Sequence, residues 1–305
     1  IGYPRGKVLG GSSSINGMIY MRGQRADYDG WAAAGNPGWH WDEVLPYFLR
    51  HEDHHRLDAG GSDPLHGHGG EWRVERARVT WEILDAFRDA AAQVGIPPSE
   101  DFNRGDNFGC GYFEVNQKRG VRWNASKAFL RPVLHRPNLK VVAHAQVTGL
   151  LRRHDGSGRV EGVEYRIGGT SGESKRTLCD GEVVLAAGAI GSPQILQCAG
   201  IGAGARLREA GVTPQVELPG VGANLQDHLQ LRMIYKVRHV RTLNQQANSL
   251  FGKTRIGLEY LLFRSGPMSM SPSQLGAFAR SGDDEASPDL EYHVQPLSLD
   301  RFGEP

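Results

Sequence analysis

The chain has 305 residues, enough for one large or two ordinary domains around a sizeable core, and its formal net charge of +1 gives no ground for a nucleic-acid or strongly acidic partner. Three cysteines, Cys110, Cys179 and Cys198, are widely spaced and odd in number, which argues against a disulfide framework and fits reduced thiols in a cytoplasmic protein. No apolar run approaches the roughly 18–20 residues that span a bilayer, so no transmembrane segment is expected. The sequence opens on Ile1, so nothing follows from the lack of a targeting signal.

The first predicted element is a loop, Gly10-Gly11-Ser12-Ser13-Ser14-Ile15-Asn16-Gly17. Glycine lets the backbone come close to a ligand, and serine adds short hydrogen-bonding groups. Such a run suits a flat, anionic cofactor that takes backbone N–H donors along its edge and phosphates. A flexible linker of the same composition would not lead straight into the apolar Met18-Ile19-Tyr20-Met21. Asp42 to His51 has helical apolar spacing at Val44, Leu45, Phe48 and Leu49 behind an acidic first turn. Asp53 to Gly70, rich in His, Gly and Asp, reads as loop, with His66 and His68 as exposed histidines in it. Trp81 to Val94 is an amphipathic helix closed by Gly95 and stopped by Pro97-Pro98. Leu139 to Val142 and Gln146 to Arg152 read as paired short strands, and Arg159 to Arg166 alternates as an edge strand does. Glu182 to Ala186 is a short apolar strand that turns out through Ala187-Gly188-Ala189. A helix capped by Ser192, with Pro193 at its first position, then runs to a stop at Gly200. A strand, a small-residue turn and a helix N-terminus in that order form a natural anion or cofactor seat.

Three of these segments carry a resemblance. Arg5 to Gly23 (RGKVLGGSSSINGMIYMRG), Gly188 to Leu196 running on to Gly200-Ile201-Gly202, and Leu218 to His228 (LPGVGANLQDH) resemble the glucose-methanol-choline (GMC) family of flavin oxidoreductases, in its choline-dehydrogenase-like branch. One departure is Ala199, where the family's serine usually stands. The resemblance implies a mixed α/β fold. In it, a partial FAD-binding Rossmann-like domain (1–72 and 139–229) is interwoven with a partial substrate-binding domain containing an antiparallel sheet (73–138 and 230–305). It implies an FAD-dependent oxidoreductase acting on the CH–OH group of donors, with a small-molecule alcohol substrate and an electron acceptor that the sequence does not name. Val8, Gly10, Gly11, Ser12, Asn16, Gly17, Met18 and Ile19 match the family's FAD-contacting loop. Val147 matches a valine whose backbone meets the adenine, and Ala187-Gly188 the turn beside the dinucleotide.

Further expectations follow from the resemblance. Some family members bond a histidine covalently to the flavin just before the motif asparagine; Ile15 stands there, so the FAD is expected to be non-covalent. Choline-oxidising relatives place a carboxylate two residues after the Asp-His pair, where Gln230 stands, which favours a neutral alcohol. His293 falls where relatives place a pocket histidine, although a histidine hydrogen-bonded within a strand fits equally well. The family's G-x-G-x-x-G unit does not occur, and its catalytic histidine lies further along than Pro305. The chain therefore reads as an interior fragment, inactive by itself, with no catalytic residue to assign. The alternatives are a degenerate, non-catalytic form of the same scaffold and a zinc hydrolase. The latter rests on His51-Glu52-Asp53-His54-His55, which satisfies H-E-x-x-H. No metal is expected, because the motif runs into a Gly-rich loop.

Overall fold

Behind the Gly-Ser loop the chain reverses into two helices, α1 (Arg25–Ala33) and α2 (Trp41–His51). Local chemistry fixes both starts: Gln24 N–H donates to Asp27 Oδ2 (2.6 Å) and His40 N–H to Glu43 Oε2 (3.2 Å), satisfying groups that a helix leaves open. Tyr28 of α1 packs against Trp41, Val44 and Phe48 of α2, the apolar stripe read from the sequence. The computed structural model describes residues 2–153, 155, 157–169 and 171–298, which divide into two units, 1–136 with 234–305 and 137–233.

In the first unit, β1 (Glu52–His54) leaves α2 directly and pairs in parallel with β2 (Trp72–Arg76). Helix α3 (Glu82–Gln93) lays Leu84 and Ala91 on the core, and β3 (Gly109–Tyr112), β4 (Glu114–Val115), β5 (Gln117–Lys118) and β6 (Val121–Arg122) follow. Strand β4 extends the β1–β2 sheet, while β5 and β6 form a hairpin.

The second unit opens on an antiparallel meander of β7 (Ala145–Arg152), β8 (Val160–Ile167) and β9 (Glu173–Leu178). Helix α4 (Gly188–Cys198) packs against β7, and β10 (Ile201–Gly202), α5 (Gly204–Glu209) and β11 (Val216–Glu217) complete it.

The chain then rejoins the first unit through α6 (Leu243–Ala247), α7 (Leu250–Phe263), β12 (Leu275–Ala279) and β13 (Leu290–Val294). Strand β12 is buried along its length, between β13 and β3. Leu275 and Ala277 on it meet Trp81 and Leu84 in the main core. Among the described residues no helix is long and apolar enough to cross a membrane.

Several sequence expectations are corrected. Residues 139–142 and 182–186 form no strand. An apolar segment becomes a strand only when a neighbour takes its N–H and C=O groups. Among the described residues nothing pairs with 182–186, whose Val184 is 80% exposed. Strand β8 is central, not an edge. Helix α4 begins at Gly188, so Ser192 and Pro193 lie inside it, and Ser192 Oγ accepts the Ala187 N–H (3.0 Å). The segment 53–70 is not all loop, since it contains β1 and a 3₁₀ turn at His55–Leu57. The H-E-x-x-H residues straddle a helix end, a strand and that turn, so His51 and His55 share no helix face.

Candidate cofactor site

The Gly-Ser loop is held by contacts between its own limbs. Gly10 adopts a left-handed conformation (φ 99°) that glycine accepts freely, and Gly11–Ser14 form a 3₁₀ turn. Gly6 lies so close beneath this turn that a Cβ there would fall 2.2 Å from the Gly11 carbonyl oxygen. Its N–H donates to Ser12 Oγ (3.3 Å). The turn presents Val8, Leu9 and Ile15 outward, an apolar rim around a polar backbone.

The segment after β6 laces the loop from the other side. Arg122 Nη1 donates to Asn16 Oδ1 (2.8 Å) and to the Ser13 carbonyl (3.2 Å). Ala125 N–H donates to Ser13 Oγ (2.9 Å), and Asn124 Nδ2 to Ser14 Oγ (2.9 Å). Burial holds the Arg122 guanidinium below its ordinary pKa, and burial with the charges of Arg131 and Arg122 does the same to Lys127. Among the described residues neither Arg122 nor Lys127 forms an ion pair with a carboxylate. Cations gathered beside a glycine-rich turn fit an anionic, phosphate-bearing cofactor such as FAD.

Met18 (φ 63°) turns the chain inward to the core. Ile19 then bridges Val115, and Tyr20 N–H donates to the Glu114 carbonyl (2.8 Å). The structure thus places Val8, Gly10, Gly11, Ser12, Asn16, Gly17, Met18 and Ile19 on one continuous turn and exit strand. Val147 lies on β7, with Ala187 at the N-cap and Gly188 at the first position of α4, all in the second unit. Gln230 is exposed in a segment without regular structure. His293 lies on β13, its Nε2 2.8 Å from Glu291 Oε1 and its ring against Phe113.

Behind the exit strand lies a buried ionic network that the sequence reading missed. Arg22 Nη2 is 2.7 Å from Glu52 Oε1, with the two side chains 1% and 0% exposed. His66 bridges Glu52 and Asp101 through its two ring nitrogens, at 3.2 Å from Nδ1 and 2.9 Å from Nε2. His54 and His55 both reach Glu114, at 3.0 and 2.7 Å. Arg56 N–H donates to His54 Nδ1 (3.3 Å), so His54 carries its proton on Nε2 and donates to Glu114. His66 is therefore a buried histidine, correcting the expectation of an exposed one. His68 is half exposed, with Nδ1 3.3 Å from Asp53.

The electrostatics follow from this pairing. Burial opposes charge on His66, but its hydrogen bonds to Asp101 and Glu52 outweigh burial and raise its pKa to about 9. Burial likewise opposes ionisation of Glu52 and Glu114. Hydrogen bonds from His66 and the Arg22 charge lower the one, and bonds from His54 and His55 lower the other. Glu52, His54 and His66 have metal-ligand atoms within 4.8 Å of one another, as do His54, His55 and Glu114. A His66 that donates from both nitrogens has no lone pair for a metal, and Arg22 already faces Glu52. As arranged, the cluster balances charge. Glu52 and His54 stand two apart, the spacing that puts both on one face of β1, where both are buried.

This pairing sets a pH dependence. His66 contributes stability fully below its unfolded value of 6.5, and that contribution is lost as pH rises toward 9. Glu52 contributes above its unfolded 4.5 and loses its contribution as pH falls. Melting temperature should therefore be flat between about pH 5 and 6.5 and should decline from there to pH 9. A curve still flat at pH 9 would show that His66 is not held protonated.

The comparisons agree with the loop's chemistry. The GMC oxidoreductase family model matches residues 1–230. An oxygen-dependent choline dehydrogenase of Brucella canis is 39% identical over 297 residues, covering 97% of this chain and 52% of the relative. Among solved structures, an FAD-dependent oxidoreductase from Chaetomium thermophilum superimposes with a TM-score of 0.78 at 27% identity, covering 90% of this chain and 49% of that one. A fungal aryl-alcohol oxidase does so with 0.78 at 26% identity, covering 90% and 48%. The chain spans about half the length of the curated relatives it matches. A match that begins with the Gly-Ser loop and runs on through both later motif segments leaves the assignment plain: this chain belongs to the GMC oxidoreductase family.

Proposed function

We propose that the chain is part of an FAD-dependent oxidoreductase acting on the CH–OH group of an alcohol. The observation that carries this reading is the family match over 1–230, which includes a glycine-narrowed turn laced to Arg122. Val8, Gly10, Gly11, Ser12, Asn16, Gly17, Met18 and Ile19 of the first unit are proposed as FAD-contacting residues, and in the second unit, taken by itself, so are Val147, Ala187 and Gly188. In this reading 1–72 and 139–229 serve FAD, and 73–138 and 230–305 serve the substrate. FAD, when bound, would supply the redox chemistry as the hydride acceptor. The chain's own residues position it and exclude water, and no catalytic base is assigned among them. Ile15 has no nucleophile, so FAD is held without a covalent bond.

A neutral alcohol is the proposed substrate. The Brucella relative is named for choline, but Gln230 cannot supply the negative charge that offsets a quaternary ammonium. The aryl-alcohol oxidase is named for a neutral alcohol. The test is anaerobic addition of benzyl alcohol or choline to the flavin-loaded product of the whole open reading frame. Faster bleaching of the oxidised flavin by benzyl alcohol is expected. Faster bleaching by choline would overturn the substrate reading, and no bleaching by any alcohol would favour a scaffold without turnover.

A further inference from the structure

We infer that Arg122 is a positioning residue of the cofactor site, which fixes the Asn16 amide with its NH2 end free for the cofactor and adds a positive charge that meets no acid among the described residues. The inference rests on the assignment of the Gly10–Ile19 turn to FAD proposed above.

The orientation of Asn16 follows from its partners. Its side-chain oxygen accepts from Arg122 Nη1 (2.8 Å) and from the Met18 backbone N–H (3.1 Å). A guanidinium and a backbone N–H are donors only, so the amide cannot be turned the other way without setting donor against donor. Both lone pairs of Oδ1 are then used inside the protein. Asn16 is an exposed residue, so its NH2 end is ready to donate to a ring nitrogen, carbonyl or hydroxyl of a bound cofactor. Without Arg122 the Met18 N–H alone would hold the amide, and the side chain could swing.

The charge is the second observation. Two arginines elsewhere in this unit have acids in contact: buried Arg22 faces Glu52 at 2.7 Å, and half-buried Arg73 faces Asp58 at 2.6 Å. Arg122, half-buried, faces the Ser13 carbonyl and an amide oxygen, and the ammonium of Lys127 donates to the Arg122 carbonyl at 2.6 Å. The nearby charges that act on Lys127 are cationic, Arg131 and Arg122. A like-charge group is disfavoured unless an anion completes it. A cofactor bearing phosphates, and gaining negative charge on reduction, is such an anion.

The test compares wild type with R122Q, R122K, N16A and N16A/R122Q, each made in the product of the whole open reading frame. It measures FAD dissociation by fluorescence and the midpoint potential of the bound flavin. R122Q should weaken FAD at least tenfold and make the potential more negative, because a neutral side chain stabilises the reduced form less. R122K, which keeps the charge, should hold the potential close to wild type. In the double variant R122Q should add less than its single effect, because Arg122 acts through Asn16. An unchanged potential in R122Q together with additive losses would overturn the inference and leave Arg122 a packing residue. A wild-type protein that binds no FAD would overturn the loop assignment itself. If R122Q does not fold, N16A that binds FAD as tightly as wild type would overturn the inference without it.

Discussion

Replacing Glu52 by glutamine should lower the melting temperature by roughly 10 °C. Three groups converge on its carboxylate: the Arg22 guanidinium (2.7 Å), the His66 ring (3.2 Å) and the Gly67 N–H (2.7 Å). Glutamine offers one oxygen and an NH2 group, so at least one existing donor would meet another donor. Arg22 would also lose its counter-charge in a place where its side chain is 1% exposed. Breaking a buried pair from one side costs about 3–5 kcal/mol, and a domain near 200 residues loses about 2–4 °C for each kcal/mol. Asp42→Asn, at the exposed pair with Arg25, is the control and should melt with the wild type. An E52Q protein that also melts with the wild type would show that the network contributes nothing to stability.

Gly6→Ala should weaken FAD binding by about 10- to 100-fold while leaving the fold intact. The new methyl would sit 2.2 Å from the Gly11 oxygen and 2.6 Å from the Ser12 nitrogen. Both are backbone atoms of the turn, so no side chain can rotate away, and the limbs of the loop must separate. Relieving such overpacking costs about 1–3 kcal/mol, and about 1.4 kcal/mol corresponds to each tenfold in affinity. The loss falls on the cofactor because the turn lies at the surface, away from the core of Leu84, Leu275 and Ala277. Gly2→Ala, which meets nothing within 4 Å, is the control. Fluorescence titration with FAD measures both, and equal affinities for G6A and wild type would contradict the role given to the turn.

The features legible in the sequence were the local ones. Helices α2 and α3 fall within a residue or so of their expected bounds, because apolar spacing, an acidic first turn and a closing glycine all lie within the segment. Strand β7 was readable on the same terms. The misread features depend on distant partners. Residues 182–186 look like a strand, but strand formation is decided by a neighbour that the segment does not contain. At α4 the Ser192-Pro193 signal gave way to a start five residues earlier, with the serine bonding back to Ala187. His54 and His66 read as loop residues because what buries them lies 60 and 35 positions away, at Glu114 and Asp101. The role of the Gly-Ser turn came from resemblance. Its close limbs and its lacing to Arg122 became visible only in three dimensions.

The most direct measurement is the absorption spectrum of the purified product of the whole open reading frame, before and after acid denaturation. An oxidised-flavin spectrum with about one FAD per chain is expected, all of it passing into the supernatant when the protein precipitates. A colourless protein that gains no flavin on incubation with FAD would contradict the cofactor site. Flavin that stays with the pellet would contradict the non-covalent attachment inferred from Ile15.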